Sequence, residues 1–169
     1  MKTKRIAQLG LLTAIALTIF MIEAQIPPVV PIPGVKLGLS NIMTVFTVFT
    51  LGPGAGAAVL ACRVFLGAVF AGNFSTILYS ASGGACAILV TIGLRRILKE
   101  DQLWAVGCLG AIAHSLGQMI AAIAITRTGS LLVYLPVLVA ISIFTGLFTG
   151  LCAQFLVKRG GTLWKTFFK

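Results

Sequence analysis

Acidic side chains are almost missing from this chain. Three Asp and Glu stand against thirteen Lys and Arg in 169 residues. Asp101 lies beside Glu100 in a basic stretch, and Glu23 is the remaining acid. Paired-carboxylate acid–base chemistry needs two carboxyl groups facing one substrate, which this placement does not offer. A Ser-His-Asp relay has no candidate acid near the single histidine, His114. Carboxylate cages for magnesium or calcium are excluded on the same ground. The four cysteines, Cys62, Cys86, Cys108 and Cys152, form no CxxC pair and lie inside apolar runs, so they read as buried, inert thiols and no metal site is expected. No GxxxxGK[ST] loop is present to hold a nucleotide phosphate. Neither a catalytic residue nor a cofactor is expected.

Charge of both signs is scarce as well, at 9% of residues, while hydrophobic residues reach 59%. A water-soluble domain carries about a quarter charged residues, so most side chains here must face lipid or one another. With no water at bilayer depth, backbone groups are satisfied only in helices or a closed barrel. The apolar runs are continuous rather than alternating, which selects helices. Six spans are expected, over about 5–26, 37–51, 55–70, 77–94, 103–126 and 131–157, as one all-α membrane domain over 1–169. The breaks between them are "GPG", "AGNFST", "RRILKEDQ" and "RTGS". The first run follows Lys2, Lys4 and Arg5 but lacks a clean small-x-small cleavage site, and reads as a retained helix.

Ten of the thirteen cations (Lys2, Lys4, Arg5, Arg95, Arg96, Lys99, Lys158, Arg159, Lys165 and Lys169) fall at the termini and the central loop. Lys36 and Arg127 fall in the opposite loops, and Arg63 lies within a span. This bias predicts cytoplasmic N- and C-termini in a multi-pass protein of the plasma membrane. It also accounts for the net charge of +10 without nucleic acid, since no basic face with interleaved aromatics occurs. The tail "TLWKTFFK" suits the lipid interface.

Helices in lipid approach closely over small residues. Such stripes recur every three or four positions at Ser142, Gly146 and Gly150, at Gly83, Ala87 and Thr91, and at Ala113, Gly117 and Ala121. These are expected to pack inside the bundle. A first-span stripe at Ala7, Gly10 and Ala14 is assigned to contact with a partner helix. The polar residues gather on the outward side. Arg63 stands mid-span, where a guanidinium costs about 2.5–3.5 kcal/mol on insertion scales and must find a partner or a hydrated cavity. Two roles stay open for it: an ion pair with Glu23, or a hold on an anionic ligand group. His114 and Gln118 are four apart on one helix face, placed either to bond a neighbouring helix or to line a cavity. Lys36, Asn41, Asn73 and Arg127 complete the candidate substrate-binding set. The segment "IPPVVPIPGVK" carries four prolines, whose fixed φ and missing N–H let an irregular segment stay ordered over a bundle mouth.

The stretch from Pro27 to Gly72, with Lys36, Leu37, Ser40, Asn41 and Ile42 followed by Gly52, Pro53 and Gly56, resembles small six-helix bacterial membrane proteins. These are the Gx transporter family, also labelled heptaprenyl diphosphate synthase component I. In layout the stretch is similar to the S-components of energy-coupling-factor (ECF) transporters. That likeness implies an S-component-like six-helix bundle with a ligand pocket at the extracellular side. It also implies a transmembrane coupling protein with ATPase subunits, met by the first helix where Gly10-x-x-x-Ala14 stands in place of Ala-x-x-x-Ala. The expected function is capture of a small solute from outside for import, with the bilayer and that solute as further partners. One alternative is a membrane anchor or assembly subunit of a redox or quinone- or isoprenoid-linked complex. A second is a component of a heptaprenyl diphosphate synthase. Chain elongation uses DDxxD motifs to hold magnesium on a diphosphate, and one aspartate cannot supply them.

Overall fold

The computed structural model describes residues 2–26, 36–72 and 75–160. The proline run over 27–35, Asn73 and the tail over 162–169, to which roles were assigned above, lie outside the described residues. Six α-helices follow one another: α1 (Lys2–Glu23), α2 (Asn41–Leu51), α3 (Pro53–Ala71), α4 (Ser75–Leu94), α5 (Leu103–Thr126) and α6 (Leu135–Arg159). Short 3₁₀ turns, Glu100–Gln102 and Gly129–Tyr134, lead into α5 and α6. No strand occurs among the described residues.

Local chemistry explains where the helices begin and end. Pro53 opens α3 in its first turn, where its missing N–H has no intrahelical acceptor in any case. Gly72 ends α3 in the left-handed conformation. Arg127 ends α5 the same way, at φ 53°, the one non-glycine residue with positive φ among those described.

Five of the helices are long and apolar enough to cross a membrane. The second is not. A short second span of 15 residues, tilted or partly re-entrant, was expected over 37–51; α2 is shorter still, with 11 residues, and about 1.5 Å of rise per residue makes that roughly 16 Å against a hydrocarbon core of about 30 Å. The backbone of residues 36–40 is irregular. Eight of the eleven α2 residues, Asn41 to Val48, are buried, and α2 packs against each of the other five helices. The short helix is therefore the hub of the bundle. Around it lies the main core, including Leu12 and Ala16 of α1, Met43 and Phe46 of α2, Val59 of α3, Leu103 and Val106 of α5, and Ala153 of α6.

The small-residue stripes of α4, α5 and α6 pack internally. A Cβ on Gly107 would lie 2.3 Å from the Gly146 carbonyl oxygen and 2.5 Å from the Gly150 Cα, so α5 and α6 touch backbone to backbone. Higher on the same seam Ser115 and Ser142 share a hydrogen bond of 2.6 Å. Gly117 meets the backbone of Ser82 on α4 in the same manner. On α1, by contrast, Ala7, Gly10 and Ala14 are exposed, and nothing lies within 4 Å of a Cβ placed on Gly10. The cysteines depart from expectation. Cys62 is exposed and the other three are half-buried, all free; Cys86 packs against Gly117 of α5 and the Cys108 thiol donates to the Ile143 carbonyl of α6 at 3.5 Å, so thiols serve here at helix contacts as well as toward lipid.

Candidate functional site

Arg63 lies ten residues into α3, about 15 Å from its start, with eight residues, about 12 Å, still to run. It is 2% exposed. Its Nη1 donates to the Ser40 hydroxyl at 2.7 Å. Ser40 precedes α2, so the irregular segment 36–40 sits at the depth of Arg63, well inside the span of α3. Non-helical backbone at such depth is stable only where protein or a hydrated cavity satisfies it.

Two side chains from other helices do so here. Glu23, at the end of α1 and 4% exposed, accepts the Gly38 amide at 2.6 Å and the Ser40 amide at 3.4 Å. Gln118 on α5, with its amide turned to match its partners, donates to the Lys36 carbonyl at 3.1 Å and accepts the Lys36 amide at 3.3 Å. The same oxygen accepts from His114 Nε2 at 3.2 Å, which assigns the proton of the neutral ring to Nε2. Gly38 has φ +80°, and a Cβ there would stand 3.0 Å from Asn41 Nδ2 and 3.3 Å from the His114 ring. Glycine is thus required both by conformation and by space.

The expected ion pair takes a different form. Among the described residues the salt bridge is Lys158–Asp101, at 2.8 Å; Glu23 and Arg63 are not in direct contact. Ser40 stands between them, its amide toward the carboxylate and its hydroxyl toward the guanidinium. The physical reason is that Glu23 is already engaged in capping the bare amides ahead of α2. Phe20, one turn before Glu23, fills the space below: Lys36 Nζ lies 3.8 Å from its ring centroid and Arg63 Cζ 5.8 Å. A ring face between two cations softens their repulsion.

The site remains short of partners. Arg63 Nε and Nη2, His114 Nδ1, and both polar atoms of the Asn41 amide are buried with no hydrogen-bond partner among the described residues. Two cations, Lys36 and Arg63, face a single carboxylate, Glu23. A buried charge left uncompensated is strongly unfavourable. Asn41 also borders an internal cavity of about 10 Å³ with Thr44, Thr91 and Thr149, room for about one water.

Lys36, Asn41, Arg63, His114 and Gln118 are therefore brought together, with Glu23. Arg127 is not brought in. It is exposed at the end of α5, nine residues and about 13 Å along the helix from Gln118, where its backbone turns the chain. Sequence reasoning placed Ser40 in a motif without giving it a role, and it missed Phe20 and Gly83. Gly83 brings α4 against the site, since a Cβ there would lie 2.8 Å from Gln118 and 2.9 Å from His114. Its place in a small-residue stripe was a usable signal; Phe20, one phenylalanine among eleven, carried none.

No curated protein and no solved structure matches the chain. A family model described as heptaprenyl diphosphate synthase component I matches residues 12–156, from the middle of α1 into the last turns of α6 and across every residue of the cluster around Arg63. On that match, which takes in most of the chain, the protein belongs to the heptaprenyl diphosphate synthase component I family.

Proposed function

We propose that the protein is a non-enzymatic, S-component-like transporter subunit of the plasma membrane that captures a small anionic solute at the outer side for import. The observation that carries the reading is the buried guanidinium of Arg63, with Nε and Nη2 unpartnered and, beside Lys36, one carboxylate for two cations among the described residues. On this reading α2 and the irregular segment 36–40 together make the second crossing, and both termini are cytoplasmic. A broken helix whose free ends face a mid-membrane site is a recurrent way to hold a solute in transporters. The outward stripe of Ala7, Gly10 and Ala14 on α1 supplies the docking face for a transmembrane coupling protein driven by ATPase subunits. Arg63 and Lys36 pair the anion, the Asn41 amide donates to it, His114 Nδ1 accepts from a hydroxyl of the solute, and Gln118 holds the segment that presents Lys36.

The test is equilibrium binding of a panel of small carboxylates and phosphates to the purified protein. Arg63→Ala is expected to weaken binding about 10- to 150-fold, the loss of one or two charge-assisted hydrogen bonds. No binding by any panel member, or binding indifferent to Arg63→Ala in a protein that still elutes as a folded species, contradicts the reading.

The family's description favours a second reading, a membrane component of a prenyl diphosphate synthase. The scarcity of acids places any chain elongation on a partner. Magnesium-dependent product formation that requires this chain together with a soluble partner would establish that reading in place of the first.

A further inference from the structure

Along the last three turns of α6, α1 and α6 do not close on one another. α1 packs on α2 and α3, and α6 packs on α2 and α5, leaving a groove of about 870 Å³ floored by the start of α2. Its walls are apolar, with Ile15 and Ile19 on α1, Met43 on α2, and Phe148, Leu151 and Phe155 on α6. Its mouth is cationic, formed by Lys158 and Arg159 in the last turn of α6. From Phe148 to Lys158 is ten residues, about 15 Å at 1.5 Å each, which is half of a hydrocarbon core of about 30 Å. The groove thus runs the depth of one leaflet, greasy inside and positive at the headgroup level.

One polar side chain interrupts the walls. Gln154 lies one turn deeper than Lys158, and its buried Oε1 has no hydrogen-bond partner among the described residues. Lys158 meets Asp101 at 2.8 Å, and the Arg159 guanidinium lies 5.3 Å from the Phe155 ring, so Asp101 offsets one of the two cations and the mouth keeps a net positive charge.

We propose that this groove binds one anionic phospholipid of the leaflet at the basic end, with an acyl chain between α1 and α6 and its phosphate at Lys158 and Arg159. Charge complementarity singles out this occupant. A transmembrane helix laid in the same groove would need an acidic residue at its end, and a zwitterionic lipid would bring a second cation to a mouth already positive.

The experiment is native mass spectrometry of the delipidated full chain with phosphatidylglycerol and phosphatidylcholine of identical acyl chains. Each Lys or Arg near an anionic surface is worth about 1 kcal/mol and 1.4 kcal/mol is tenfold, so with one cation offset by Asp101 one phosphatidylglycerol should bind with roughly fivefold preference. Lys158→Gln with Arg159→Gln should erase the preference, and Leu151→Trp, which fills the groove, should weaken both lipids. The proposal is overturned by equal binding of the two lipids, or by a preference that survives the double substitution. It is also overturned if farnesyl diphosphate, an anion with an apolar chain but no glycerol, displaces the phospholipid one for one, or if the groove is occupied by a second copy that excludes lipid.

Discussion

Replacing Glu23 by glutamine separates the two jobs this residue performs. The side chain keeps its length, and its remaining carbonyl oxygen can still accept the Gly38 amide now held at 2.6 Å. The negative charge that balances Lys36 and Arg63 is gone. A hydrogen bond to a charged group contributes about 1.5–3 kcal/mol and a neutral one about 0.5–1.5, so the capping alone weakens by roughly 1–1.5 kcal/mol. Loss of Coulombic balance around a guanidinium 2% exposed adds a comparable amount, for a total of about 2–3 kcal/mol. In a chain of this length 1 kcal/mol moves Tm by about 2–4 °C, so a fall of roughly 4–12 °C is expected in detergent. Anion affinity should move the opposite way. Removing a carboxylate about 8 Å from a bound anion relieves about 2 kcal/mol at an effective dielectric near 20, close to thirtyfold tighter binding. Thermal unfolding followed by circular dichroism, with and without the tightest anion of the panel, measures both quantities on one sample. A Glu23→Gln protein that is less stable yet binds anions no better, or one with unchanged stability, would refute the charge balance argued for this site.

Two further substitutions probe the parts of the fold that build it. Gln118→Ala removes both bonds to the Lys36 backbone; at about 1 kcal/mol each, opening of the segment around Lys36 should become roughly thirtyfold easier, read as faster tryptic cleavage after Lys36 with the helical signal unchanged. Unchanged cleavage would mean that Gln118 does not hold the segment. Gly107→Ala forces a methyl group against the Gly146 and Gly150 backbones of α6 and should destabilise by about 1–3 kcal/mol, whereas Gly10→Ala meets open space and should leave Tm within about a degree. Equal effects of the two would contradict the division between an inward seam and an outward α1 stripe.

Much of this architecture is written in local pattern. The apolar runs and their Gly, Pro and Arg breaks place α3, α4 and α5 within a few residues, because in lipid a helix ends where its hydrophobicity does. His114 and Gln118 share a face for the simple reason that they are four residues apart on one helix. The second segment was legible only in part. Its 15 residues from Leu37 to Leu51 are few for a span, but hydropathy does not register that the backbone ahead of Asn41 is unwound. What permits the unwinding is capping by Glu23 and Gln118, 15 and 82 residues away from Gly38 and Lys36 along the chain. The form of the Glu23–Arg63 relation, one of two roles left open for Arg63, was out of reach for a related reason. Sequence supplies charges, but the claim of two bare amides on a carboxylate exists only after folding. Arg127 illustrates the opposite error, a cation counted toward a site by its level in the membrane when its backbone forms the left-handed end of α5.

The central claim is that the buried cation cluster takes up an anion. The most direct measurement is an experimental structure of the protein purified from its native membrane without dialysis against competing salts, combined with mass spectrometry of whatever is released on denaturation. The account predicts a small carboxylate or phosphate compound within hydrogen-bond distance of Arg63 Nε or Nη2 and on the Lys36 side of Phe20. A guanidinium whose remaining N–H groups are closed off by backbone carbonyls and aliphatic side chains, with no released solute, would contradict it.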